Sequence, residues 1–157
     1  MLKHARNLAL LAALVVPHIC PAEPALSEVE GADVGLFAQT VYQPKFPGDP
    51  AHSDAEAAAL GYMRTVANAQ REFKKKHGAY ATTLRELVGS VSFTRRMVST
   101  QRGDYTVSFH STGKDYWLTM APRQFDAAHR AFYMDASGVI RAETDKLATR
   151  ESPPVKS

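Results

Sequence analysis

Any chemistry in this chain would have to be built around histidine. The single cysteine, Cys20, lies in an N-terminal stretch expected to be removed, and no Gly-x-Ser-x-Gly turn lifts a serine into the position of a nucleophile. His52, His77, His110 and His129 are spread widely, and no two residues make the His-x-x-x-His or His-x-x-Glu spacing that sets paired ligands on one helical face. His129 is the most suggestive, because it sits in a long loop beside Asp126 and Arg130; a hydroxyl brought to the same cleft would complete an acid–base constellation. Asp135-Ala136-Ser137-Gly138 supplies one carboxylate, far short of the six to eight oxygens of a calcium site. A hairpin turn accounts for it better. No phosphate-cradling glycine loop is present. The sequence therefore leads us to expect no catalytic residue, no metal, no cofactor and a non-enzymatic role.

Charge is segregated along the chain. Residues 23–63 hold seven acids and only Lys45 as a base, whereas residues 64–102 hold nine bases against Glu72 and Glu86. Those nine, Arg64, Arg71, Lys74, Lys75, Lys76, Arg85, Arg95, Arg96 and Arg102, form a candidate patch for an anionic partner or surface. Tyr80, Phe93 and Tyr105 lie near it in sequence and would offer rings for base stacking. The bland alternative is a solvated helix end, which is what most charge runs are. The whole-chain balance does not call for a polyanion. The formal charge is +3, but Lys3 and Arg6 belong to the N-terminal stretch, and without them 17 bases face 16 acids.

The element that must position these groups runs from Ser53 to Leu87. Ala55, Ala59, Leu60, Met63, Val66, Ala67, Gln70 and Phe73 follow the three-and-four spacing of one helical face, with Gln70 the only polar member. Ser53 or Asp54 caps the start, Asp54 and Glu56 place negative charge at the positive end of the helix dipole, and Lys74–Lys76 with Gly78 close it. Thr83-x-x-Glu86 reads as a capping box opening a short second helix that ends at Gly89. Residues 90–103 read as a connecting loop. A β meander follows: Tyr105–His110, then Tyr116–Met120 stopped by Pro122, then Ala131–Met134 and Val139–Arg141 around the Asp135–Gly138 turn. This is an α+β layout, a long N-terminal helix and a short one packed on a three- to four-stranded antiparallel meander.

Residues 1–22 have the form of an export signal: Lys3 and Arg6, then the apolar run Leu8–Val16, then proline and a cleavage site after Ala22. Residues 23–50 are expected to be a flexible, acidic and proline-rich leader, with Val34–Tyr42 reading as a short strand or an interacting tail. Residues 51–142 are expected to form the α+β domain, and residues 143–157 a loose tail. Composition fits one globular domain, with 45% hydrophobic and 22% charged residues arguing against wholesale disorder.

Several segments carry a family resemblance. Leu60–Thr65 (LGYMRT), Asn68-Ala69-Gln70, Phe73 and His77-Gly78-Ala79-Tyr80-Ala81 with Leu84 and Leu87 are similar to the region where the N-terminal helix of type IV pilins and type II secretion pseudopilins enters the globular head. Arg130–Asp135 into Ser137–Arg141 resembles their closing hairpin. The family's Phe-Thr-Leu-Ile-Glu-like start to a long apolar spine is missing, and about 35 residues separate the short apolar run from the helix, more than an ordinary loop. The resemblance implies an exported head domain without its spine, periplasmic or extracellular, acting through protein contacts in the envelope or a secretion or pilus-type system. The other reading is a periplasmic binder of nucleic acid or another polyanion through residues 64–102.

Overall fold

The computed structural model describes residues 41–90 and 92–156. The export signal, most of the leader and most of the Val34–Tyr42 segment lie outside the described residues. Helix α1 spans Asp54–His77. Its first turn is capped by Ser53, whose Oγ accepts the Glu56 amide at 3.1 Å, and its last by Gly78 at φ 76°, whose amide donates to the Lys74 carbonyl. That left-handed φ suits glycine, which has no Cβ to clash. The capping box is not formed as expected. Residues Leu84–Leu87 make only one 3-10 turn, and Thr83 caps no backbone amide. Instead the Thr82 and Thr83 hydroxyls both donate to Glu86 Oε1 at 2.8 Å.

Five strands follow in the order of the chain: β1 (Gln101–Arg102), β2 (Tyr105–Ser111), β3 (Tyr116–Pro122), β4 (Ala131–Asp135) and β5 (Ile140–Glu143), every pair antiparallel. The expectation of three to four strands is corrected by β1. The stretch taken as a loop holds a second 3-10 turn at Arg95–Val98 and then pairs Gln101 and Arg102 with Thr106 and Tyr105. The register sets Val107 opposite Met120, Leu118 opposite Met134 and Phe132 opposite Ala142, so alternate residues of each strand share the inner face. That face meets Ala59, Leu60, Met63 and Val66 of α1, with Leu84, Leu87 and Phe93 closing the side, in one hydrophobic core.

Gln70, the polar member of the helical face, is fully buried, and the reason is local. Its side-chain amide donates to the Ala81 carbonyl at 3.0 Å and accepts the Ala81 amide at 2.9 Å, so it pairs a stretch of backbone that leaves the helix without another partner.

Two order expectations are also corrected. Residues 41–50 are tied down before the helix begins: the Tyr42 hydroxyl and the Lys45 amide donate to Asp49, and Ala51 enters the core. The tail is held as well. The Ala142 amide donates to the Pro153 carbonyl at 3.0 Å and the Val155 amide to the Ile140 carbonyl at 2.9 Å, so residues 153–155 run along the free edge of β5. Arg141 donates to the Ser152 carbonyl, and Arg150 pairs with Asp135. Composition marks the tail as loose, yet an unpaired sheet edge offers amides and carbonyls that a neighbouring segment satisfies.

Candidate functional site

Charged groups gather at two places. The first is the N-terminal end of α1, where helix and sheet meet. Glu56, expected to complement the helix dipole, is fully buried and is the acceptor at the centre of this cluster. Its Oε1 accepts the Arg130 backbone amide at 2.8 Å and Arg130 Nε at 3.0 Å, and its Oε2 accepts Arg130 Nη2 at 2.7 Å and the His52 amide at 2.9 Å. Arg130 Nη2 also donates to the Pro50 carbonyl at 2.6 Å. A buried carboxylate is tolerated only when paired and fully hydrogen-bonded, and this one is both.

His129 stands beside this pair. Its Nδ1 lies 2.8 Å from Asp126 Oδ1, and its Nε2 lies 3.7 Å from Asp104 Oδ2. The hydrogen bond from His129 holds the Asp126 carboxyl below the usual carboxylate range. The structure thus joins His129 to Asp126, as the sequence suggested, but the hydroxyls of the cluster are committed elsewhere. Ser53 Oγ donates to the Ala128 carbonyl at 2.6 Å and the Tyr105 hydroxyl to the Arg130 carbonyl at 3.0 Å. With both ring nitrogens facing carboxylates and both hydroxyls on backbone oxygens, this arrangement straps the 123–130 loop to the helix rather than activating a nucleophile. The Asp135 turn is a hairpin turn: Asp135 Oδ1 accepts the Ser137 amide at 2.9 Å and its hydroxyl at 2.5 Å. Among the described residues no group of three or more His, Cys, Asp or Glu is placed to hold a metal ion.

The second is the surface made by α1, the two 3-10 turns beside it and β1, over which the nine basic residues divide. Arg64, Arg71 and Lys75 lie seven and then four apart on α1, along one exposed stripe. Lys75 pairs with Glu72 at 3.4 Å, and Lys74 lies 4.2 Å above the Tyr80 ring. Lys76 is exposed at the helix end. Arg102 stacks 4.5 Å over Tyr62 and donates to the Arg96 carbonyl at 3.3 Å. Burial pushes the Tyr62 hydroxyl up to about 12, with the Arg102 charge acting against it. Arg85 and Arg95, ten residues apart, come together from the two 3-10 turns to flank one depression with Val88 and Val98.

The rings expected to stack on bases are mostly out of reach. Phe93 is 2% exposed and Tyr105 is 1% exposed, both inside the core, while Tyr80 is half-buried against Tyr116. An exposed aromatic pair does exist, on the outer face of the sheet. His110 of β2 and Trp117 of β3 are cross-strand neighbours whose rings stack 5.0 Å apart, and Trp117 is 38% exposed. Sequence reasoning passed over this pair, although strict alternation along β2 and β3 already puts both residues on the face away from Val107 and Leu118.

No helix among the described residues is long and apolar enough to cross a membrane. No protein-family model matches the chain, and no curated protein matches it. Among solved structures the chain is similar to a type IV pilin from Shewanella oneidensis, with 21% identity and a TM-score of 0.39 over 58% of this chain and 91% of that one.

Proposed function

We propose that residues 41–156 form a non-enzymatic, pilin-like head domain, exported through a signal at residues 1–22 to the periplasm or cell exterior. It acts there through protein contacts in the envelope or in a pilus or type II secretion-type system. The helix-then-meander order and the resemblance carried by Leu60–Thr65, His77–Ala81 and Arg130–Arg141 support the family reading. The observation that carries the contact role is the His110–Trp117 stack on the outer face of the sheet. Exposed large aromatics rimmed by polar residues, here Ser108 and Thr119, are characteristic of protein interfaces. The test is photo-crosslinking from position 117 in the native envelope, followed by pull-down. Discrete crosslinked partners, lost on His110→Ala, support the reading; a protein that yields none overturns it.

A second reading, a periplasmic binder of nucleic acid or another polyanion, draws on the exposed bases of residues 64–102. It is tested by salt-dependent binding of single- and double-stranded DNA. Unchanged affinity and salt slope after charge reversal at Lys74, Lys75 and Lys76 would remove the helix end from it.

A further inference from the structure

The depression between the two 3-10 turns combines features that select a partner. Arg85 and Arg95 are exposed on its rim, and no carboxylate among the described residues comes within ion-pair distance of either. The nearest acid in sequence, Glu86, is occupied by Thr82 and Thr83 and lines a neighbouring hollow with Glu72 and Lys76. Those hydrogen bonds, the one from Thr82 first, hold the Glu86 carboxyl low, so at neutral pH it is an anion already supplied with donors. The other lining residues among those described are aliphatic: Val88, 36% exposed, and Val98, half-buried. The depression holds about 510 Å³, and the rim charges are guanidinium forks suited to carboxylates and phosphates alike.

The apolar lining decides between these two anions. Binding of single-stranded nucleic acid draws on rings against which bases stack. Phe93, the aromatic residue lying between the two turns in sequence, is buried in the core. Valine walls between two arginines instead complement a peptide that alternates carboxylate and aliphatic side chains. We propose that this depression is a docking site for an acidic, aliphatic peptide segment of a partner protein, with Arg85 and Arg95 receiving its carboxylates and Val88 and Val98 its apolar side chains. This rests on the protein-contact reading above and names the partner's chemistry at a second face.

The experiment uses the full chain and a fluorescein-labelled peptide of alternating glutamate and valine, read by fluorescence anisotropy at low ionic strength. The expected result is saturable binding that weakens tenfold or more in the Arg85→Ala/Arg95→Ala double variant and also when glutamine replaces glutamate. Val88→Ser should weaken it by a smaller factor. An Arg85→Glu/Arg95→Glu variant should transfer binding to a lysine–valine peptide, which separates the site from a folding defect. Binding equal for the glutamine peptide, unaffected by the arginine variants, or exceeded by an oligothymidylate probe overturns the proposal. Crosslinking from position 117 does not depend on these arginines, so failure here with intact envelope crosslinks sinks only the peptide site.

Discussion

At the N-terminal end of α1, Glu56 is fully buried and Arg130 largely so, with both carboxylate oxygens hydrogen-bonded, whereas on the two 3-10 turns Arg85 and Arg95 stand in water with no carboxylate within reach among the described residues. A charge taken into the interior has lost its hydration and must be matched by partners from other elements, which turns it into architecture. A charge left outside keeps its water, contributes little to the fold, and remains available to another molecule. Residue type does not distinguish the two cases; desolvation does.

The largest expected effect comes from breaking the buried side of this comparison. Glu56→Ala leaves the largely buried Arg130 without its carboxylate and should destabilise the protein by about 3–5 kcal/mol in urea unfolding. The Glu56→Ala/Arg130→Met double variant should recover much of that. A single-variant cost no larger than that of an exposed residue would mean that Glu56 is not held as described. Gln70→Leu sharpens the point for a neutral group. It strands the Ala81 amide and carbonyl, and a loss of about 1–3 kcal/mol is expected, read as a lower midpoint at unchanged m-value.

On the exposed side, Arg85→Ala/Arg95→Ala should shift unfolding by no more than roughly 0.5 kcal/mol per site, measured in the same urea series. A larger loss would show that these arginines serve the fold. The smallest effect concerns Asp126. Its folded pKa is depressed, so its contribution is present above the unfolded value near roughly pH 4 and disappears as pH falls through the lower folded value. His129→Ala should move the Asp126 titration up toward the ordinary range, read by carboxyl-carbon NMR, and lessen the loss of stability on acidification. An unmoved titration would assign the depression to the Ala128 amide, which also donates to Asp126.

Much of the fold was legible because it depends on neighbours in sequence. Ser53, Gly78 and the three-and-four apolar spacing mark α1 through hydrogen bonds and contacts within a few residues, and the structure begins and ends the helix where they say. Alternation and turn glycine located β2 to β5 for the same reason. The misreadings share an opposite cause. Strand β1 is two residues long and exists through its pairing with β2, and the tail is ordered by the edge of β5, so neither leaves a periodic signal of its own. Glu56 carried the local signature of a dipole-complementing residue, and only the arrival of Arg130, 74 positions away, shows why it is buried.

By itself the sequence determined a capped amphipathic helix, an antiparallel meander, their α+β packing and a surplus of bases between residues 64 and 102. Those properties follow from backbone geometry and apolar periodicity, which act over a few residues. Tertiary structure alone decided which charges are buried and which are free, that Phe93 and Tyr105 belong to the core, and that Arg85 meets Arg95 across two valines while the other bases disperse. Burial and long-range pairing arise from how whole elements close on one another, and water excluded by that closure changes what each charged side chain does.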